Sequence, residues 1–198
     1  MNIGIDIDDT ISETFEILLA YSQKYTIEDL KRESTINING DFTNNLYIED
    51  ANGWNDIEGE NFWNRYYGEI LKSVNIKKFA AEVINGLKND GHKIFLITAR
   101  WDMPNDDINE ITKNWLKQNN IKYDRLITNA SDKLKIVKDN NIDLFIDDSF
   151  SNCKNVVDNS STKVYMMTSR VNGSFEYEKI KRVFSWPEIY HSINKGEN

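Results

Sequence analysis

Apolar residues in this chain fall into short blocks, and the spacing within each block separates strands from helices. Residues 2–7 (Asn-Ile-Gly-Ile-Asp-Ile) form an apolar run that stops at Asp8-Asp9-Thr10. Phe15, Leu18, Leu19 and Ser22 then recur at helical spacing, which predicts a helix from about 12 to 25. Ile76, Phe79, Ala80, Val83, Ile84 and Leu87 place an apolar stripe on one helix face, with Gly91 where the C-terminal cap would fall. Lys93–Thr98 reads as a strand buried on both faces. Ile108, Ile111, Trp115 and Leu116 mark a further amphipathic helix, followed by a weak strand near 125–128. Ser131 is placed to cap a helix over Leu134, Ile136 and Val137. Leu144-Phe145-Ile146 is a buried strand ending at Asp147-Asp148, Lys163–Met167 is a fifth, and a short terminal helix follows Trp186-Pro187.

Strands alternating with helices at this spacing imply βα units and a parallel sheet. Their apolar blocks are continuous, not alternating, as expected of a sheet covered on both faces. Residues 28–74 break the rhythm. They hold no convincing long strand, and seven aromatics fall between Phe42 and Tyr67: Phe42, Tyr47, Trp54, Phe62, Trp63, Tyr66 and Tyr67. Segment 12–74 also carries five Lys/Arg against twelve Asp/Glu, a net of −7 out of −8 for the whole chain. The expected organisation is an α/β core domain, 1–14 and 75–198, with an aromatic-rich helical subdomain inserted at 15–74.

The remaining composition narrows the chemistry. At 198 residues the chain is long enough for one substantial core, or a core with a small insert. Cys153 is the only cysteine, which excludes an internal disulfide framework and a cysteine-based zinc cluster. No apolar run is long enough to span a membrane, and the first residues lack the basic head and apolar stretch of a signal peptide, so a cytoplasmic location is expected. Net negative charge argues against broad binding of polymeric nucleic acid. A small phosphorylated ligand remains open, provided a metal, a lysine or backbone N–H groups offset the repulsion.

In sheets of this kind ligands collect beyond the carboxyl ends of the strands. Three polar constellations fall there: Asp6/Asp8, Thr98 and Asp147/Asp148. Carboxylates gathered in one crevice raise each other's pKa, and a hard cation removes that penalty. Octahedral Mg²⁺ suits such a set, and two histidines and one cysteine give little support for zinc. With a phosphate bound, one carboxylate can act as nucleophile and another as proton donor. Thr98 and Lys133 are placed to hold the phosphoryl oxygens, with Lys135 nearby as a competitor for the lysine role.

Taken in order, these residues resemble the four motifs of the haloacid-dehalogenase-like (HAD) phosphohydrolase superfamily. Asp6-Ile7-Asp8-Asp9-Thr10 is similar to its first motif, Thr98 to the second, Lys133 to the third and Asp147-Asp148-Ser149 to the fourth. The resemblance implies a Rossmann-like α/β core with a parallel central sheet flanked by helices, and a small helical cap between the first and second motifs. It assigns Asp6 as nucleophile and Mg²⁺ ligand, and Asp8 as general acid/base with its backbone carbonyl on the metal. Thr98 and Lys133 would bind the phosphoryl group, Asp147 and Asp148 the metal, and Thr10 would support the turn after the nucleophile. An Asp at position 8 favours phosphate-ester hydrolysis over dehalogenation.

Within the superfamily the chain most resembles the 5′(3′)-deoxyribonucleotidase-like branch, through its cap position, Asn61-Phe62-Trp63, the stretch Ile97–Arg100 through Thr112–Leu116, and Asp143–Ser149. That likeness implies a small phosphorylated metabolite as partner, a nucleotide first, with Phe62 and Trp63 stacking on its base or packing the cap. Arg100 departs from the branch's Thr-Ser/Asn ending. It would reach the substrate phosphate, or pair with Asp102 or Asp106. A phosphosugar phosphatase, and a Mg²⁺- and phosphate-binding protein without turnover, are the alternatives. Oligomeric state is open, a homodimer included.

Overall fold

The computed structural model describes residues 1–34, 36 and 48–195. Six strands form one parallel sheet: β1 (Asn2–Ile5), β2 (Lys93–Ile97), β3 (Arg125–Ile127), β4 (Leu144–Asp147), β5 (Lys163–Met167) and β6 (Lys181–Val183), in the order β3-β2-β1-β4-β5-β6. Pairing is in register around β1, with Ile5 opposite Leu96 on one side and Ile146 on the other. The central strands therefore end together, and their polar successors share one edge of the sheet.

Both faces of the sheet are covered, as the continuous apolar blocks predict. Ile3, Ile5, Ile94, Leu96 and Ile146 pack on one face with α4 (Ala80–Asn89) and α8 (Trp186–Asn194). Phe95, Ile97, Phe145, Val164 and Met166 pack on the other with α6 (Lys133–Asp139) and α7 (Phe150–Asn159). The helix α5 (Ile108–Gln118) seats Trp115 and Leu116 in the first of these clusters. Gly4 lies at the tightest point: a Cβ there would stand 3.0–3.3 Å from Ile97, Ile142 and Phe145.

The insert is helical, as expected. It holds α1 (Thr14–Lys24), a π-helical turn (Tyr25–Asp29), α2 (Ile48–Ala51) and α3 (Asp56–Ser73). A capping box opens α3, with Asn55 accepting from Glu58 N–H and Glu58 accepting from Asn55 N–H. Tyr25, Trp54, Phe62 and Tyr66 form an aromatic knot whose ring centroids lie 4.8–6.2 Å apart. Phe42 and Tyr47 lie outside the described residues. The chain enters and leaves the insert side by side, since Glu13 N–H donates to Asn75 and Lys77 N–H to Ile11.

Several local expectations are corrected. The strand β1 ends at Ile5, so Asp6 and Ile7 already belong to the turn. Phe79 is not on the α4 stripe; it precedes the helix at φ 67° and is 46% exposed. Asp132, not Ser131, caps α6, accepting from Lys135 N–H. The edge strand β6 was not expected, because Lys-Arg-Val offers a single apolar residue, Val183, to the core.

Candidate active site

The turn after β1 carries the first constellation. Its geometry comes from Asp9, which adopts a left-handed conformation (φ 55°) and accepts from Phe15 N–H, tying the turn to the start of α1. Ser12 donates its hydroxyl to Ile7 O, and Trp186 Nε1 donates to Thr10 O from the far end of the chain. Thr10 itself is buried, and among the described residues its hydroxyl has no hydrogen-bond partner. The expected support of the turn by Thr10 is thus supplied by Ser12 and the backbone.

Asp6 points into the molecule, 7% exposed, and Lys133 Nζ hydrogen-bonds its carboxylate and also Ile97 O. Lys133 is the first residue of α6 and 3% exposed, and it also stands 3.7 Å from Asp147. Lys135, the competitor, pairs with Asp139 in solvent. One carboxylate oxygen each from Asp6, Asp147 and Asp148 lies within 4.8 Å of the others. Asp147 is fixed by its own neighbours, accepting from Ser149 N–H at 2.8 Å and from Asn152 Nδ2 at 3.1 Å. Asn172, buried beyond β5, donates to the backbone carbonyls of Asp148 and Met167 and is itself held by Arg182.

Electrostatically the cluster is under-compensated. Three carboxylates face one lysine, leaving two net negative charges if all ionise. Burial pushes Asp6 up to about 8 against the pull of Lys133, with Asp147 and Asp8 adding to the rise. Burial and Asp147 likewise carry Asp148 well above the ordinary carboxylate range. Lys133 stays above its ordinary value despite burial, because Asp6 and Asp147 favour its charged form. A hard divalent cation fits this donor set: all three groups offer oxygen, no His or Cys joins them among the described residues, and two positive charges would balance the excess.

Asp8 stands apart. Its carboxylate turns away from the three-acid cluster toward Arg100, whose Nη2 lies 2.8 Å from Oδ1 and Nε 3.0 Å from Oδ2. Thr14 donates to the same Oδ1 at 2.7 Å, and Thr98 Oγ1 lies 3.4 Å from Oδ2. Burial would raise Asp8, yet the Arg100 guanidinium holds it below the ordinary carboxylate value. The expectation that all four carboxylates are raised is corrected: Asp6 and Asp148 are, whereas Asp8 is held down by its own cation.

Arg100 is 2% exposed and pairs with neither of the expected acids. Asp102 accepts from Asn129, and Asp106 stands 3.6 Å from Lys72. Phe62 is fully buried in the aromatic knot, so its ring has no open face for a base, and of the two alternatives packing is the one its burial supports. Trp63 is half-buried, donates Nε1 to Glu49, and lies 5.4 Å from Trp101. Tyr67, one of the seven aromatics of the insert, stacks at 4.3 Å on Trp101, which no sequence signal singles out, and the pair joins the cap to the loop after β2. Asn152, which holds Asp147, carries no sequence signal of its own; only Ser149 at the N-cap marks the start of α7.

The same loop reaches the cap a second time at Gly68. A Cβ at that position would stand 2.4–2.6 Å from the Asp106 carboxylate. Gly68→Ala is therefore expected to expel Asp106 from its notch, at a cost of about 1 kcal/mol, lowering the melting temperature by about 2–4 °C. Thermal unfolding followed by circular dichroism checks this, and an unchanged midpoint would show that the notch closes at no cost.

The parallel α/β sheet and the acidic centre at its carboxyl edge together present a candidate divalent-metal site. No family model matches the chain. It is similar to “Putative nucleotidase YqfW” of Bacillus subtilis (strain 168), 27% identical over 100% of this chain and 96% of that protein. A “Putative nucleotidase” of Bacillus cereus is likewise 27% identical, over 98% of this chain and 99% of its own length. Among solved structures, a HAD-superfamily hydrolase, subfamily IA, from Geobacter sulfurreducens superposes with a TM-score of 0.65 at 15% identity, covering 96% of this chain and 97% of that one. The chain has the HAD-superfamily fold. Among the described residues no helix is long and apolar enough to cross a membrane.

Proposed function

We propose that this chain is a Mg²⁺-dependent phosphomonoester hydrolase working through an aspartyl phosphate on Asp6, with a nucleotide or deoxynucleotide as substrate. The observation that carries the reading is the convergence of Asp6, Asp147 and Asp148 on one another, with Lys133 bonded to Asp6. Asp6 attacks phosphorus as the bond to the leaving oxygen breaks, and Asp8 relays to that oxygen a proton it has first taken up from solvent. Water then attacks the acyl phosphate, and Asp8 takes its proton, the task for which its Arg100-paired, ionised form is ready. Lys133 orients Asp6 and balances charge on the phosphoryl oxygens, with Thr98 beside it. The bound cation would supply charge neutralisation on the phosphoryl group and keep Asp6 ionised.

The nucleotide assignment rests on the names carried by the two sequence relatives and on the aromatic cap. Trp63 and Trp101, one on each side of the cap–core boundary, are the rings that keep exposed surface for a base. A screen of deoxynucleotides, ribonucleotides, phosphosugars and 4-nitrophenyl phosphate, with Mg²⁺ and with chelator, tests the reading. Turnover of nucleotides that stops on chelation is expected. Turnover confined to phosphosugars would move the substrate class, and no turnover on any ester would reduce the chain to a phosphate-binding protein. Trp63→Ala is expected to raise KM for nucleotides about 10-fold, as loss of about 1–3 kcal/mol of stacking implies, and to leave 4-nitrophenyl phosphate nearly untouched. Equal losses on both substrates would assign Trp63 to packing alone.

A further inference from the structure

The loop that follows β2 places a fully buried guanidinium against the one acid of the site that lies outside the metal cluster. The Arg100 side chain is 1% exposed, whereas that of Asp8 is 31% exposed. Its contacts on every other side come from the core. Nη1 donates to Thr112 Oγ1 at 3.2 Å, the guanidinium carbon sits 5.7 Å from the Trp115 ring centroid, and Arg100 N–H donates to Thr98 Oγ1 at 3.2 Å. Trp115 is anchored in turn, donating Nε1 to Val74 O just beyond α3. The guanidinium is thus clamped before it meets Asp8, and its planar fork dictates the plane of the carboxylate it holds.

We propose that Arg100 is a positioning residue for Asp8. It locks the carboxylate in one rotamer by a two-point contact, so the proton-transfer group stands oriented before substrate arrives. This inference rests on the phosphohydrolase reading above and adds a role that the four-motif pattern does not contain. A substrate-binding arginine would have to abandon Asp8 and leave a buried cavity lined by Thr112 and Trp115. A positioning arginine stays in place throughout the cycle. Asp8 keeps its exposed side free for the leaving oxygen and then for water.

The test compares wild type, Arg100→Ala, Arg100→Lys and Thr112→Val. With 4-nitrophenyl phosphate and Mg²⁺, Arg100→Ala is expected to lower kcat about 10²-fold, the lower end of what general acid–base catalysis contributes, with KM within about threefold. Added guanidinium ion should restore part of kcat, whereas Arg100→Lys should recover little, because an ammonium cannot fork. A KM rise of 10-fold or more with kcat preserved would make Arg100 a substrate ligand and overturn the proposal. So would an unchanged kcat. If Arg100→Ala does not fold, Thr112→Val carries the test: a several-fold loss in kcat at constant KM is expected, and no loss refutes it.

A crystal structure of the variant supplies an arm that needs no turnover. Asp8 should be found in another rotamer or in two, and an unmoved carboxylate still bonded to Thr14 sinks the proposal. Absence of turnover in the wild type would defeat the phosphohydrolase reading while leaving this structural outcome to be read on its own.

Discussion

Asp6→Asn is expected to abolish turnover while the protein stays folded. Asn keeps the shape of Asp6 but cannot form the acyl phosphate, so the loss should be of the kind seen when a covalent nucleophile is deleted. A fall in kcat of at least about 10³-fold is expected, against about 10⁶-fold in the best-studied serine hydrolase case. The fold has reason to tolerate the change. Lys133 would lose one carboxylate partner but keep Ile97 O and the Asp147 carboxylate at 3.7 Å, so its charge is not left stranded. One of three mutually repelling acids is also removed. Initial rates beside a thermal melt check both halves. Surviving activity would take the nucleophile role from Asp6, and a collapsed melt would mean that its ion pair with Lys133 is required for folding.

Much of this site was legible in the sequence because of where the apolar blocks stop. In a parallel sheet covered on both faces, a polar residue at the end of a block has one place to go, the carboxyl edge. Thr98 and Asp147 therefore fall on one rim with the Asp6–Asp8 turn although they are far apart in the chain. Lys133 was legible only through its place in the four-motif order, since a lysine near a helix start usually lies in solvent, as Lys135 does. The partner of Arg100 was not legible. Choosing among Asp8, Asp102 and Asp106 needs the path of the loop, and that path is set by Trp101 against Tyr67 and by the notch at Gly68. Phe62 and Trp63 are adjacent on α3 and so project about 100° apart, which buries one ring and leaves the other half-open. Composition alone cannot tell which.

Mg²⁺ is expected to raise the melting temperature, and to raise it more at pH 8 than at pH 5. In the metal-free protein burial lifts Asp6 from 3.8 to about 8 and Asp9 from 3.8 to about 6, and it lifts Asp148 as well. Each acid then holds its proton more tightly folded than unfolded. Stability from these groups is therefore greatest near pH 4 and falls as pH rises through the window up to about 8. Below that window the slope reverses. Asp8 is held down, despite burial, by Arg100, and Asp124 is held down by Lys88, and both contributions are lost as acid protonates them. A cation among Asp6, Asp147 and Asp148 replaces the protons, so it gains most where the protons would otherwise be leaving. At about 100 times its dissociation constant such a ligand adds about 2.7 kcal/mol, or about 5–10 °C for a chain of this size. At pH 5 proton competition should cut that gain by more than half, and Asp147→Ala should remove it at both values. Scanning fluorimetry with Mg²⁺ and with chelator at the two pH values measures all of this. An equal gain at both, or a gain that survives Asp147→Ala, would place the cation somewhere other than between these three carboxylates.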